Sequence, residues 1–221
     1  MRLLVLDAAL GACSAGVVVD GLVCAQATRP AAQGQAGQLA AMAASVLAEA
    51  GDRLDAVAVT VGPGSFTGLR AALALAHGIA LGAGIPVIGV SVGEALAAAL
   101  TLPPGWPLWS VIDNRRGRVF LERDGRVTAV GLDDLPPPPG QVALAGDAAA
   151  VVAARLAARG HPVMLTDARL PAAEAIARAA AARQANRLPP RDALPLYVDP
   201  PSVRLPDAGL RPPPVLRSPL R

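Results

Sequence analysis

An α/β fold of two related lobes, each a mixed sheet flanked by helices, is what this 221-residue sequence predicts. Three observations carry the expectation. The strand-like run Val57-Ala58-Val59-Thr60-Val61 passes through Gly62-Pro63-Gly64 into a long apolar helix. The N-terminal residues form three short strands joined by turns before any helix begins. After Leu102-Pro103-Pro104-Gly105 the same order of meander, helix and strand starts again. Hydrophobic residues make up 53% of the chain and aromatic ones 2%, so the core is built of Ala, Val and Leu and its elements can approach closely. A chain of this length can fold without disulfides or metal.

Taken in order, strands are expected over 3–8, 13–19 and 22–27, joined by turns at Gly11 and Asp20-Gly21. A helix then runs from Gln35 or Gly37 to Ala50. Leu39, Met42, Ala43, Val46, Leu47 and Ala50 recur at helical spacing and Gly51 closes the run. Residues 55–61 form the fourth strand. Gly62, Pro63 and Gly64 end it, because Gly accepts backbone angles closed to other residues and Pro lacks a donor. Ser65 and Thr67 are both candidate caps for the helix over 66–83 that carries Phe66 and Gly68 in its first turn. A fifth strand over 86–90 and a short helix over 92–100 complete a lobe of the ribonuclease H-like kind.

The second lobe is expected to hold strands over 108–113, 119–122, 127–130, 142–144 and 163–166, with helices over 148–159 and 172–184. From Leu188 the proline density rises, which suits an extended strap that frays after about Asp207. The division that follows is 1–102, 103–198 and a proline-rich tail, 199–221.

The helix over 66–83 is apolar on almost every side. Leu69, Leu73, Ala76 and Ala80 fill one stripe; Ala71, Leu75, Gly78 and Ile79 fill another. Such a helix needs cover on more than one face. One face can lie on its own sheet; together with the helix over 37–50, the rest could dock on a matching helix pair of another subunit. A membrane span is not expected, since alanine drives insertion weakly and Gly82, Gly84 and Pro86 break the run.

Several chemistries are disfavoured. All twenty basic residues are arginine and the net charge is only +3, too little by itself to mark a nucleic-acid binder. Arg115, Arg116, Arg118, Arg123 and Arg126 are read as a solvated hairpin. The turn at 62–68 lacks the G-x-x-x-x-G-K-[ST] pattern, and no lysine exists to complete it. Asp7 ends the first strand, where a kinase of duplicated fold would hold magnesium or water, but Ala8-Ala9-Leu10-Gly11 offers no hydroxyl beside it. Asp7 and Asp113 are therefore weak cleft candidates, and Asp147 shares turn and cap roles with Asp113. Ser65 lacks a G-x-S-x-G setting, and His77 and His161 stand apart without metal-ligand spacing, so no metal is expected. Cys13 and Cys24 are expected to be reduced and buried. A hairpin at Asp20-Gly21 would set Val17 against Cys24 and Cys13 about 13 Å away. No signal sequence precedes the first strand, and a cytoplasmic location is expected.

The run Leu54-Asp55-Ala56-Val57-Ala58-Val59-Thr60-Val61-Gly62-Pro63-Gly64-Ser65-Phe66-Thr67-Gly68-Leu69-Arg70, followed by Ile85-Pro86-Val87-Ile88-Gly89-Val90-Ser91, closely resembles the bacterial TsaB (YeaZ) family of the glycoprotease-like superfamily. Leu6-Asp7, Val111-Ile112-Asp113 with Arg116-Gly117, Gly146-Asp147 and Pro195-Leu196-Tyr197-Val198 extend the likeness to about residue 200. The resemblance implies an ASKHA (actin-like ATPase) fold. It also implies a non-catalytic role in making threonylcarbamoyladenosine beside the tRNA anticodon. In that family the protein pairs through its first-lobe helices with TsaD, the transferase, and the ATPase TsaE joins them; tRNA is met indirectly and no ATP or magnesium is needed in this subunit. Leu39, Met42, Val46, Arg70, Leu75 and Ile79 are the residues expected at the partner interface, which also suits a homodimer. Two departures stand out: Asp7-Ala8-Ala9-Leu10 replaces the family's D-T-S-T, and Gln33-Gly34-Gln35 replaces a histidine before the first helix. The competing reading is an ATP-dependent small-molecule kinase of the same fold.

Overall fold

The computed structural model describes residues 1–30 and 35–198. The tail over 199–221 and the Gln33-Gly34 part of the second departure lie outside the described residues.

The chain opens as the meander β1 (Arg2–Asp7), β2 (Ala12–Val19) and β3 (Leu22–Pro30). β1 and β2 pair antiparallel from Arg2↔Val19 to Asp7↔Ser14. Asp20 and Gly21 take positive φ, as a two-residue hairpin requires. The pairing behind that turn departs from the expected register. A bulge between Val17 and Val18 sets Val17 against Ala25 and Val18 against Val23, so Cys24 falls in the extra position and is exposed. Cys13 is buried as expected and faces Arg29; neither cysteine is in a disulfide.

A 3-10 turn (Gln35–Gln38) leads into α1 (Leu39–Ala50), closed by Gly51, whose N–H donates to Leu47 O. β4 (Ala56–Gly62), α2 (Phe66–Ala83), β5 (Val87–Ser91) and α3 (Val92–Ala98) follow. β4 lies parallel to β1 and β5 parallel to β4, giving the first sheet the order β3-β2-β1-β4-β5. The second sheet repeats it. β6 (Leu108–Asp113), β7 (Arg118–Arg123) and β8 (Arg126–Gly131) form the meander; β9 (Val142–Ala145), α4 (Ala149–Ala158) and β10 (Val163–Leu165) complete the order β8-β7-β6-β9-β10. Each sheet thus runs third, second, first, fourth, fifth strand, the duplication the sequence suggested.

The layers follow from which residues are apolar. Leu39, Met42, Ala43 and Val46 of α1 and Ala72, Leu73, Ala76 and Ala80 of α2 pack on one face of the first sheet with Leu4, Leu6, Val57 and Val59. The other face, Leu3, Val5, Ala58 and Ile88, is covered by α5 (Ala173–Gln184) through Ala173, Ile176, Ala177 and Ala180. The last helix therefore returns to the first sheet after the second has formed. α4 covers one face of the second sheet, and Ile112 and Ala145 on the other face meet Leu10, Leu69, Val92 and Leu96 between the sheets.

Polar contacts also join the halves. Glu122 of β7 accepts from Ser91 Oγ at 2.6 Å and from Gly93 N at 3.1 Å, so a carboxylate of the second sheet caps the N-terminus of α3. A Cβ on Gly93 would lie 2.4 Å from that carboxyl, which is why glycine stands there. Burial pushes the Glu122 carboxyl above its usual range, with nearby Glu94 adding to the effect. Burial also opposes ionisation of Glu94, but the Ser91 N–H, Arg191 and Arg183 together hold it below the usual range. After α5, residues 188–198 run as an extended strap back over the first sheet. Leu196 N donates to Val61 O at 2.8 Å, and His77 Nε2 donates to Ala193 O at 2.8 Å.

Candidate functional site: the open helix and the cleft beside it

The central turn is built by close approach. The Gly62-Pro63 bond is cis, and Gly64, at φ 159°, would put a Cβ 2.2 Å from Ala9 O. Ser65 N donates to that same Ala9 carbonyl at 2.7 Å. Ser65 is the cap of α2, accepting from Gly68 N at 3.2 Å, so its hydroxyl is committed; Thr67 is exposed in the first turn. A Cβ on Gly68 would sit 2.0 Å from Ala8 O, which locks α2 onto the end of β1.

Beyond that anchor the first stripe of α2 is core, and the second, apart from Gly78, is half-buried rather than fully outward. Leu69, Ala72, Leu73, Ala76 and Ala80 are buried in the chain's own core. Arg70, Ala74, His77, Gly78, Leu81 and Gly82 are exposed, with Ala71, Leu75 and Ile79 half-buried between the two sides. Leu81 is 87% exposed. This helix has the length and hydropathy of a membrane span, yet one of its faces is packed on a sheet.

The interface expected of α1 is corrected here. Leu39, Met42 and Val46 are 1%, 5% and 2% exposed, because their stripe faces the first sheet and fills its core. Burying each contributes about 1.5–3 kcal/mol to the chain's own fold. What α1 offers outward is Ala40, Ala41, Ala44, Ser45, Ala48 and Glu49. Of the residues expected at the interface, Arg70 is exposed and Leu75 and Ile79 are shared between core and surface.

Beside the α2 N-terminus a cleft of about 1010 Å³ opens between the sheets. Ala9, Leu10, Gly11, Phe66, Leu69 and Arg70 line it from the first sheet's side; Asp113, Asn114, Arg115, Arg116, Phe120 and Asp147 from the second's. Asp113 is exposed at the end of β6, its Oδ1 accepting from Arg115 N at 2.8 Å, and Asp113 N donates to Asp147 Oδ1 at 2.8 Å. The Arg115 guanidinium lies 3.6 Å from Asp113 and 3.8 Å from Asp147. Burial raises the Asp147 carboxyl above its ordinary range. Among the described residues no group of three or more His, Cys, Asp or Glu side chains could hold a metal ion.

Asp7 is the structural counterpart of Asp113, ending the first strand of its sheet and accepting from the N–H two residues on, Ala9 N at 3.0 Å. It is otherwise unlike it. Asp7 is 2% exposed, its Oδ1 also accepts from Thr60 Oγ1 at 2.5 Å, and it does not line the cleft. Burial pushes its carboxyl up to about 6. The folded value lies above the unfolded one near 4, so the favourable contribution is complete below pH about 4 and is lost as pH rises through 6. Asp7→Asn keeps an acceptor for Ala9 and Thr60 without the charge. It should gain on the order of 3 kcal/mol over the parent at pH 8 and nothing at pH 4, measured by urea unfolding.

Two features could not be found by spacing. Tyr197, 127 positions from Arg70, accepts from Arg70 Nε at 3.0 Å, and the same guanidinium lies 3.8 Å over the Phe66 ring. The Ser91–Glu94 capping box is visible as S-x-x-E, but its link to Glu122, 31 positions on, is not.

A family model described as "TsaD: tRNA N6-adenosine threonylcarbamoyltransferase" matches residues 29–178. The chain is 36% identical over 124 residues to the tRNA threonylcarbamoyladenosine biosynthesis protein TsaB of Escherichia coli (strain K12), covering 54% of this chain and 53% of that one. It is 33% identical over 127 residues to the protein of the same name from Haemophilus influenzae, covering 56% and 53%. The chain thus spans about half the length of the curated relatives it matches. Among solved structures, YeaZ from Pseudomonas aeruginosa superposes with a TM-score of 0.67 at 28% identity, over 89% of this chain and 99% of that one. The fold is accordingly the ASKHA arrangement that the resemblance implied. The chain belongs to the family described as TsaD: tRNA N6-adenosine threonylcarbamoyltransferase, and within it its likeness is to the TsaB (YeaZ) proteins.

Proposed function

We propose that the chain is a non-catalytic accessory subunit that binds and activates a TsaD-type transferase in threonylcarbamoyladenosine synthesis at adenosine 37 of tRNA. The observation that carries this reading is the open flank of α2. Gly78 stands mid-helix and Gly82 in the last turn, with nothing among the described residues within 4 Å of a Cβ placed at either. Gly78 costs about 1 kcal/mol of helix stability relative to alanine. Nothing among the described residues requires that cost, whereas a helix packed closely against the flank does. The names of the TsaB relatives support the pathway, and the family model supports kinship with the transferase.

In this reading a TsaE-type ATPase joins the pair, the same flank can hold a second copy when the transferase is absent, and the assembly works in the cytoplasm without a membrane. Residues 1–102 act as the docking lobe and 103–198 as its support. The chain needs no ATP or magnesium of its own. Support for that comes from Asp7, sealed behind Thr60 and Ala9 instead of facing the cleft, and from the lack of lysine. Millimolar Mg-ATP should raise the melting temperature by less than about 1 °C, while the tight grip of a kinase would raise it by several degrees.

The test is reconstitution. The transferase co-expressed with the chain should purify as an equimolar complex and modify tRNA only when the chain is present. A transferase that elutes alone and modifies tRNA at full rate would overturn the proposal.

A further inference from the structure

The cleft has chemistry that docking through α2 does not use. The sequence holds five aromatic residues, two Trp, two Phe and one Tyr. Three of them, Phe66, Phe120 and Tyr197, line this one cleft, and Phe66 and Tyr197 are each 56% exposed. The rings of Phe66 and Tyr197 lie 6.1 Å apart, tilted by 37°. Arg70 spans them, stacked on Phe66 and bonded to the Tyr197 hydroxyl, so both rings are held in place while more than half of each residue stays open. Arg115 and Arg116 stand on the opposite wall. Three guanidiniums against the two carboxylates Asp113 and Asp147 leave the cleft net positive, and Arg115 is turned toward those carboxylates.

An apolar floor, fixed open rings and flanking guanidiniums suit a polyanion that carries flat bases. Stacking accepts any base because each has a π-face, and arginine meets phosphate in a planar fork. We infer that the cleft takes single-stranded RNA, with a base stacked on Phe66 beside Tyr197 and the adjoining phosphates against the arginines that line it. This rests on the reading that the chain serves a tRNA-modifying transferase. It goes beyond it by giving the chain a direct contact with RNA. At about 1010 Å³ the cleft can hold more than one nucleotide, so affinity accrues along a strand and a lone mononucleotide binds weakly.

The test uses the full chain and two fluorescein-labelled probes, unfractionated tRNA and a 12-nucleotide oligoadenylate, titrated by anisotropy at fixed salt. Phe66→Leu and Tyr197→Ala should each weaken binding about tenfold or more. Phe66→Trp should retain it, and the new indole should be quenched as RNA is added. Arg126→Ala, at the β7–β8 turn and absent from the cleft lining, removes the same charge and should leave binding unchanged. Circular dichroism melts show that each variant is folded. Parent-like binding by folded Phe66→Leu and Tyr197→Ala would overturn the inference, as would equal loss in Arg126→Ala, an unquenched Trp variant or no binding of either probe. Because the readout needs no transferase, failure here leaves the reconstitution result standing, and the reverse also holds.

Discussion

Leu81→Asp should abolish capture of the transferase while leaving the chain folded. Leu81 is 87% exposed, so replacing it changes the stability of the free chain by less than about 0.5 kcal/mol. In the complex the same position would bury a carboxylate against apolar helix, a cost of several kcal/mol and therefore a weakening of about 100-fold or more. Leu75 and Ile79 are poorer probes, because both also pack against the chain's own core. A charge at either would confuse lost docking with lost folding. Calorimetric titration of Leu81→Asp against the transferase, beside a urea melt of the free variant, separates the two. Unchanged affinity would move the interface off α2.

The second large effect is a contrast within one helix. Gly68→Ala drives a Cβ to 2.0 Å from Ala8 O, a backbone atom that cannot step aside, and should cost roughly 3 kcal/mol or more. Gly78→Ala meets open space and should stabilise the chain by about 0.5–1 kcal/mol. The same substitution ten positions apart therefore has opposite signs in urea unfolding. Gly78→Leu adds the further expectation that a folded chain loses its partner, since the flank no longer permits close approach. If Gly68→Ala proved neutral, the anchoring of α2 on β1 would be wrong.

The elements themselves were legible because their signals are local. Short apolar runs between turns gave the strands, the Gly62-Pro63-Gly64 turn gave the strand-to-helix switch, and Ser65 announced its cap. Legible too was the surplus apolar surface of α2, since two stripes on one helix exceed what one sheet can cover. Periodicity could not say whether the Leu39, Met42 and Val46 stripe of α1 faced home or outward. An apolar stripe looks the same in either case, and here the first sheet took it. Nor could it foresee the bulge that exposes Cys24, because an inserted residue leaves no mark on composition. The return of α5 to the first sheet and the Arg70–Tyr197 bond join residues far apart in sequence. Spacing rules reach a few turns of helix, and those contacts are set by the whole fold.

Hydrogen exchange on the chain with and without the transferase tests the docking face most directly. Amides over 70–83 should slow markedly on adding the partner, and those of β8, on the far edge of the second sheet, should not change. Protection confined to β8 or to α4, with 70–83 exchanging as in the free chain, would contradict the account.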